Sequence, residues 1–402
     1  MKRALITISL GLLLLGSSIV TPAGQEAAVV EEGVDFCTNV FLRGTDGYHT
    51  YRIPTMVVTS KGTVLLFCEG RKNSRKDSGD IDMLLKRSED GGRTWSKQLV
   101  LLDEGPGRVG NSCAIIERDT DVVHLLFTRG GGECVFYTKS ADEGKTWSEL
   151  VTTSDVASQK EYTKKNWLQG FGGSLVKIGA GPVHGIQTRK GRLIAPSYYS
   201  KMVGSERVGG SCIVYSDDRG ETWRAGGAIP LVEEFRPGEC TVVERSDGSL
   251  LMNMRSGAPG AYALGYRIVS TSADDGATWS QPVIDKNLPG PACQGSMIRL
   301  SEKEILFLNP AVHRAGGFHL WSRRNLTLRL SQDDGRTWSH SRVLRKQLAG
   351  YSDMAVTKEG KILCVFENGE GDYCERISFT QVDRAWLVAD QAAEQEEKPE
   401  KE

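Results

Sequence analysis

The chain has 402 residues, 39% hydrophobic and 25% charged, enough to bury a large core and unlike a low-complexity or disordered segment. Its 50 Lys and Arg balance 51 Asp and Glu, which removes any global electrostatic reason to expect nucleic acid or an acidic membrane as a partner. Nine cysteines, an odd number, are scattered without metal-ligand spacing. No metal is expected, no disulfide pairing can be derived, and Cys68 and Cys364 sit inside apolar strand patterns as buried thiols.

Met1-Lys-Arg leads into an apolar run from Ala4 to Val20, then Thr21-Pro-Ala-Gly24. This pattern reads as a signal peptide over 1–23, followed by a linker over 24–34. The mature chain is then expected to be exported (periplasmic, extracellular, or lysosomal in a eukaryote), with no stable membrane insertion after cleavage. Residues 35–388 read as one domain, and 389–402 as a charged, disordered tail.

Within that domain, Ser88-Glu-Asp-Gly-Gly-Arg-Thr-Trp95 recurs at Ser140–Trp147, Ser216–Trp223, Ser272–Trp279 and Ser331–Trp338. The five copies fit S-x-D-x-G-x-T-W, with starts 52, 76, 56 and 59 residues apart. Such a period marks a propeller or solenoid. Each copy carries turn chemistry: an Asp to accept backbone N–H groups, a Gly for positive φ and a Trp anchor.

Between the boxes, short apolar strands follow a turn at Thr63–Cys68, Asp121–Phe127, Arg192–Pro196, Ser249–Met254, Glu304–Leu308 and Lys361–Phe366. Flanking runs supply a strand before each, a third ending in the box and a fourth after it. The expected fold is all-β, a six-bladed propeller of four-stranded antiparallel blades with five Asp boxes. The run Phe36–Leu42 is expected to complete the last sheet and close the ring. Residues 148–183 hold extra loop material.

Strand ends alternate in an antiparallel blade, so unusual residues can be sorted by face. Arg52 precedes the turn glycine Gly62 by ten residues; Glu239 and Tyr351 precede Gly248 and Gly360 by nine. Arg255 and Glu367 follow those last two glycines by seven. Arg71 and Asp77 come just after a second strand, and Arg323 and Arg324 open a third. All should gather at the end of the ring opposite the boxes. Three arginines from separate blades suit an anionic group, most naturally a carboxylate. Glu367 could offset their mutual repulsion. Tyr351 beside Glu239 pairs a phenol with a carboxylate able to take its proton, and Asp77 could donate one. Asn111, Gln187, Trp167, Tyr198 and Tyr199 are further candidate contacts, with packing roles as the alternative for the aromatics.

From about Phe36 to Trp386 these residues resemble the exo-α-sialidases of glycoside hydrolase family 33. The match runs through Tyr51-Arg-Ile-Pro54, Glu69-Gly-Arg-Lys-Asn-Ser-Arg-Lys-Asp77, Gly238-Glu239, Arg255, Arg323-Arg-Asn-Leu-Thr327, Gly350-Tyr-Ser352 and Val365-Phe-Glu367. The resemblance implies removal of terminal sialic acids from oligosaccharides, glycoproteins or gangliosides, without a cofactor. It further implies that Arg52, Arg255 and Arg323 hold the substrate carboxylate, with Arg71 and Glu367 in support. Asp77 becomes the acid/base, and Tyr351 the nucleophile activated by Glu239, giving retention through a sialyl-tyrosine. Arg324 and Arg267 remain alternatives to Arg323. A non-catalytic glycan-binding propeller, a trans-sialidase and a hydrolase of deaminated nonulosonic acids are the competing functions.

Overall fold

The computed structural model describes residues 34, 36–130, 132, 134–155, 174–234, 236–256, 265–313 and 323–389. The predicted signal peptide, nearly all of the linker, Trp167 and all but the first residue of the charged tail lie outside them.

The described chain is almost entirely antiparallel β-structure in five sheets. Four follow a path of four strands each. The first holds Thr50–Val58, Val64–Arg71, Ile81–Ser88 and Leu99–Leu102. The second runs from Val109–Ile116 to Val151–Asp155, the third from Ser174–Ala180 to Arg224–Ala228, and the fourth from Pro237–Glu244 to Val283–Pro289. The third also carries the two-residue strand Ile186–Gln187 beside its path.

The fifth sheet differs from the expectation of separate four-stranded blades: it has seven strands, from Cys37–Leu42 to Ser296–Arg299. Its central strand, His340–Val356, is 17 residues long. Its first half pairs with Arg324–Ser331 and its second with Ile362–Gly369. One uninterrupted strand therefore serves two strand sets that the sequence reads as distinct. Cys37–Leu42 pairs with Arg376–Val382, so the start of the described chain completes the last sheet as anticipated. The hairpin Leu193–Val203/Glu206–Ser216 is longer than its sequence pattern indicated, with eleven residues per strand. A five-residue helix at Arg384–Val388, not anticipated, buries Trp386 and Leu387.

Apolar clusters fill the spaces between sheets. Leu65, Phe67, Met83 and Leu85 of the first meet Val109, Leu125 and Phe127 of the second. The boxes fasten these joints. In each turn, the residue before the conserved Gly and the Gly itself have positive φ; Asp275 at 55° and Gly276 at 86° are one example. A Cβ on Gly276 would lie 2.2 Å from Ile213 of the preceding sheet, so only glycine lets the sheets approach this closely. Trp147 likewise meets Phe67 at 5.7 Å and Trp223 meets Tyr137 at 5.5 Å, each across a sheet boundary. The eight described cysteines whose side chains are placed are free thiols, with Cys68 and Cys364 buried.

The box aspartates are turn residues. Asp274 accepts from the Thr278 N–H at 2.8 Å, the Thr278 hydroxyl at 2.6 Å and the Ser272 hydroxyl at 2.8 Å. These bonds, the Thr hydroxyl first, hold its carboxyl down to about 2. A carboxyl held low in the folded state adds stability above its unfolded value of about 3.9 and loses it as pH falls through the folded value. Asp274→Ala is expected to cost about 0.5–1.5 kcal/mol in urea unfolding at neutral pH, since the site is exposed and water replaces part of what is lost. Chemistry at the other end of the sheets should be unchanged per folded molecule. A folded variant with collapsed activity would place the box at the wrong end.

Candidate active site

Register locates the two ends of each sheet. In the first, Arg52 pairs with Glu69 and Thr50 with Arg71, while Val64 pairs with the box residue Ser88. Arg52, Arg71, Glu239, Arg255, Tyr351 and Glu367 thus lie at strand ends remote from the boxes. A cavity of about 1130 Å³ opens there.

What aims the side chains into this cavity is a repeated irregularity. Four inner strands slip register at the same level: Arg52/Thr55, Gly110/Cys113, Pro237/Cys240 and Ala349/Ser352. Bulges of this kind re-aim a side chain at the end of a ladder. Here they carry Arg52, Asn111, Glu239 and Tyr351. Ile53 and Asn111 have φ of 59° and 52°. For β-branched Ile53 that conformation is strained. Its N–H donates to Glu367 at 2.7 Å, a contact that compensates the strain.

Glu367 is fully buried and ties three site elements together. It accepts Nε and Nη2 of Arg52 at 2.8 and 3.1 Å, the Ile53 N–H, and the Tyr351 N–H at 3.1 Å. A Cβ on Gly350 would lie 2.3 Å from its Oε2, so glycine leaves room for the carboxylate. Burial opposes the Arg52 charge, but Glu367 outweighs it and holds Arg52 well above the ordinary value.

Tyr351 is 5% exposed. Its hydroxyl donates to the Glu239 carboxylate, 2.6 and 2.7 Å from the two oxygens, and accepts from Arg255 Nη1 at 2.5 Å. Arg255 also bonds Glu239 at 2.5 Å. Burial, opposed by Arg255 and reinforced by Glu239, pushes the phenol well above its usual value, so it is neutral at physiological pH.

Arg323 lines the cavity with its guanidinium 5.3 Å from the Tyr351 ring centre and 4.6 Å from that of Tyr373, and donates to the Ala292 carbonyl at 3.1 Å. The two alternatives go elsewhere. Arg324 is exposed at the start of its strand. Arg267 is buried against Asn253 Oδ1 and the Cys293 carbonyl at 2.7 and 2.5 Å, and burial pulls it down to about 10.

Asp77 lines the cavity on the loop after Val64–Arg71, 2.8 Å from Arg71 Nη2 and 3.6 Å from Arg52 Nη1. Partial burial raises its proton affinity, but Arg71 and then Arg52 outweigh that and leave its carboxyl below the usual range. Asn111 lines the cavity and donates to the Tyr198 hydroxyl at 2.6 Å. Tyr199 reaches the cavity but packs mainly in the core beside Ile178 and Cys212. Gln187 is not brought here. It pairs with Leu193, whose other partner is the box residue Ser216, and accepts the Arg118 N–H at the far end.

Two site residues escaped the sequence reading. Glu69 accepts Arg71 at 2.5 Å, Arg108 at 3.4 Å and the Asn111 N–H at 3.2 Å, serving those groups as Glu367 serves Arg52. The shared pattern of an apolar strand ending in Glu, Leu-Phe-Cys-Glu69 against Cys-Val-Phe-Glu367, is the signal that could have found it. Tyr373 stacks on both Arg52 and Arg323. Asp80, Asp82 and Asp103, the one cluster of metal-binding type among the described residues, surround Lys72 Nζ at 2.9, 3.2 and 2.8 Å, so a lysine ammonium supplies the cation.

The chain is 30% identical over 396 residues to the sialidase of Micromonospora viridifaciens, covering 91% of this chain and 55% of that protein. It therefore spans about half the length of that relative. It is 27% identical to the exo-alpha-sialidase of Aspergillus fumigatus, over 85% of this chain and 86% of the relative. Among solved structures, Hadza microbial sialidase Hz136 superposes with a TM-score of 0.72 at 24% identity, covering 88% of this chain and 69% of that one. A leech intramolecular trans-sialidase follows at TM-score 0.68, 17% identity and 87% and 70% coverage. These likenesses show a propeller-type fold. The BNR repeat-like domain matches residues 62–364, well over half of the chain. The chain belongs to the BNR repeat-like family, among relatives that are sialidases.

Proposed function

We propose that the protein is an exo-α-sialidase that removes terminal sialic acids from oligosaccharides, glycoproteins or gangliosides with retention. The observation that carries this reading is the Tyr351–Glu239–Arg255 cluster beside two further arginines. A sialic acid bears its carboxylate on the anomeric carbon. An anionic nucleophile would approach that carbon against like charge, whereas a neutral phenol does not, and sialidases are the tyrosine exception among glycosidases.

In this mechanism Arg52, Arg255 and Arg323 hold the substrate carboxylate. The glycosidic C–O bond breaks as Asp77 protonates the departing oxygen and the Tyr351 oxygen bonds to the anomeric carbon, its proton passing to Glu239. Arg255, already 2.5 Å from the phenol oxygen, meets the charge that develops there. Water, deprotonated by the Asp77 carboxylate, then displaces tyrosine, which regains its proton from Glu239. No cofactor takes part.

The scaffold reads as six blades, the seven-stranded sheet dividing within His340–Val356, where the strand changes partners. The N-terminal apolar run supports export, with no stable membrane insertion after its cleavage.

Asp77 must be protonated in the productive complex, yet Arg71 and Arg52 keep it ionised in the free protein at neutral pH. A substrate carboxylate on Arg52 offsets part of that positive field and raises the proton affinity of Asp77. kcat is therefore expected to rise as pH falls from 7 and to peak on the acid side of neutrality. A peak above pH 7 would contradict the acid assignment. The basic test is sialic acid release from a fluorogenic sialoside by purified protein. No release from acid to neutral pH, with the sialoside still bound, would favour a glycan-binding propeller.

A further inference from the structure

Asp77 occupies a loop without regular structure, 72–80, and its side chain is 70% exposed. Its position therefore depends on how that loop is fastened. At the base, the Lys72 N–H donates to the Asp80 carbonyl at 3.1 Å, and the Lys72 ammonium joins Asp80, Asp82 and Asp103. Further out, Arg71 Nη1 donates to the Arg75 carbonyl at 2.5 Å. Arg75 then crosses to another sheet, its Nη1 meeting Asp372 Oδ2 at 2.6 Å.

The receiving turn is braced by its own hydrogen bonds. The Glu375 carboxylate accepts the N–H groups of Glu370, Gly371 and Asp372 at 3.0, 3.0 and 2.9 Å. Arg43, just past the ring-closing strand Cys37–Leu42, donates to the same Asp372 Oδ2 at 3.1 Å and to the Cys374 carbonyl at 3.2 Å. Asp372 is thus fixed from one side by its own turn and by the closing strand, and it offers the remaining capacity of one oxygen to Arg75. The next residue, Tyr373, stacks on Arg52 and Arg323. One short turn therefore touches both the acid loop and two arginines of the anion site.

We propose that Asp372 is a positioning residue that latches the 72–80 loop through Arg75 and so sets Asp77 at the departing oxygen. This rests on the glycosidase reading. Asp372 touches no substrate in this scheme; it acts on Asp77 through Arg75, while its bond to Arg43 holds its own turn. Its loss should therefore slow protonation of the leaving group and, because Asp77 also deprotonates the attacking water, the later hydrolysis that all substrates share; kcat/KM, which stops at formation of the sialyl-enzyme, isolates the first effect. A sialoside with an alkyl or sugar leaving group needs that proton, whereas one with an acidic aryl leaving group departs without it.

The test compares wild type, Asp372→Asn, Arg75→Gln and the double variant on an aryl sialoside and a sialyl-sugar, with thermal melting of each protein. Asp372→Asn is expected to lower kcat/KM on the sialyl-sugar by about tenfold or more, with that of the aryl substrate held within about threefold. Arg75→Gln, which cuts the same contact from the loop side, should shift the ratio alike, and the double variant should add little to either single change. Equal losses of kcat/KM on both substrates, or additive effects of the two changes, would overturn the latch while leaving the glycosidase reading intact. A wild type inactive on both substrates would overturn that reading, and the latch's role with it.

Discussion

Tyr351→Phe is expected to lower kcat by at least about three orders of magnitude, since removing a nucleophile forfeits the covalent route. The change deletes one oxygen from a ring that is 5% exposed and otherwise packed against Ile53 and Cys293, so the protein should fold normally. Arg52 and Arg323, which face the ring rather than the hydroxyl, keep their positions. Arg255 loses the hydroxyl but keeps Glu239. Binding of an unreactive sialic acid analogue should therefore stay within about tenfold of wild type, roughly the value of one hydrogen bond to a charged group. The two readings together separate a nucleophile from a binding residue: calorimetry gives the affinity and single-turnover kinetics the chemical step. Turnover near the wild-type rate would remove Tyr351 from the mechanism.

The second large effect is on stability. Glu367→Gln preserves shape but removes the negative charge that compensates Arg52, and both groups are buried. An amide also presents a donor where the carboxylate accepts from Arg52, Ile53 and Tyr351. Breaking one partner of a buried ion pair typically costs about 3–5 kcal/mol, because the other charge is left uncompensated. The urea midpoint should fall accordingly. In whatever fraction folds, the KM for a sialoside should rise, because Arg52 is no longer held facing the cavity. A midpoint equal to that of wild type would show that Glu367 is not the keystone its contacts indicate. Reversing the order, removing Arg52 first, should make the second change much less costly, since the pair acts as a unit.

Features that repeat, or that lie a fixed count from something that repeats, could be read from the sequence. The boxes set the spacing of the strands, and the turn glycines gave a ruler that placed Arg52, Glu239, Arg255, Tyr351 and Glu367 at one end of their sheets. The same ruler excludes Gln187: it precedes Gly191 by four residues, against nine for Glu239 and Tyr351, and so belongs near the turn end. It stands among the candidate contacts by residue type, and the pairing with Leu193 puts it at the box end. Choosing Arg323 over Arg324 needed side-chain direction, which alternates from one residue to the next along a strand and hinges on register.

The bulges that aim Arg52, Asn111, Glu239 and Tyr351 left little trace in composition. Those at Arg52, Asn111 and Tyr351 are local breaks in pairing whose cause is tertiary: a buried carboxylate, Glu69 or Glu367, must reach an inner-strand N–H. Only Gly110 and Gly350 hint at it, since a Cβ on either would collide with those carboxylates. The strand His340–Val356 hid for a related reason. Its two halves have different partners, so its hydrophobic pattern changes midway and reads as two elements. The Arg75–Asp372 contact joins residues almost 300 positions apart in two irregular segments, where no periodicity connects them.

The claim on which the rest depends is that Tyr351 bonds to the sugar. A sialoside with a good leaving group and fluorine at C3, which slows breakdown of any glycosyl-enzyme, should add one sialyl mass to the intact protein. Peptide mapping should then locate the adduct on Tyr351. An active preparation that acquires no adduct, or acquires it on Glu239, Asp77 or another residue, would contradict the account.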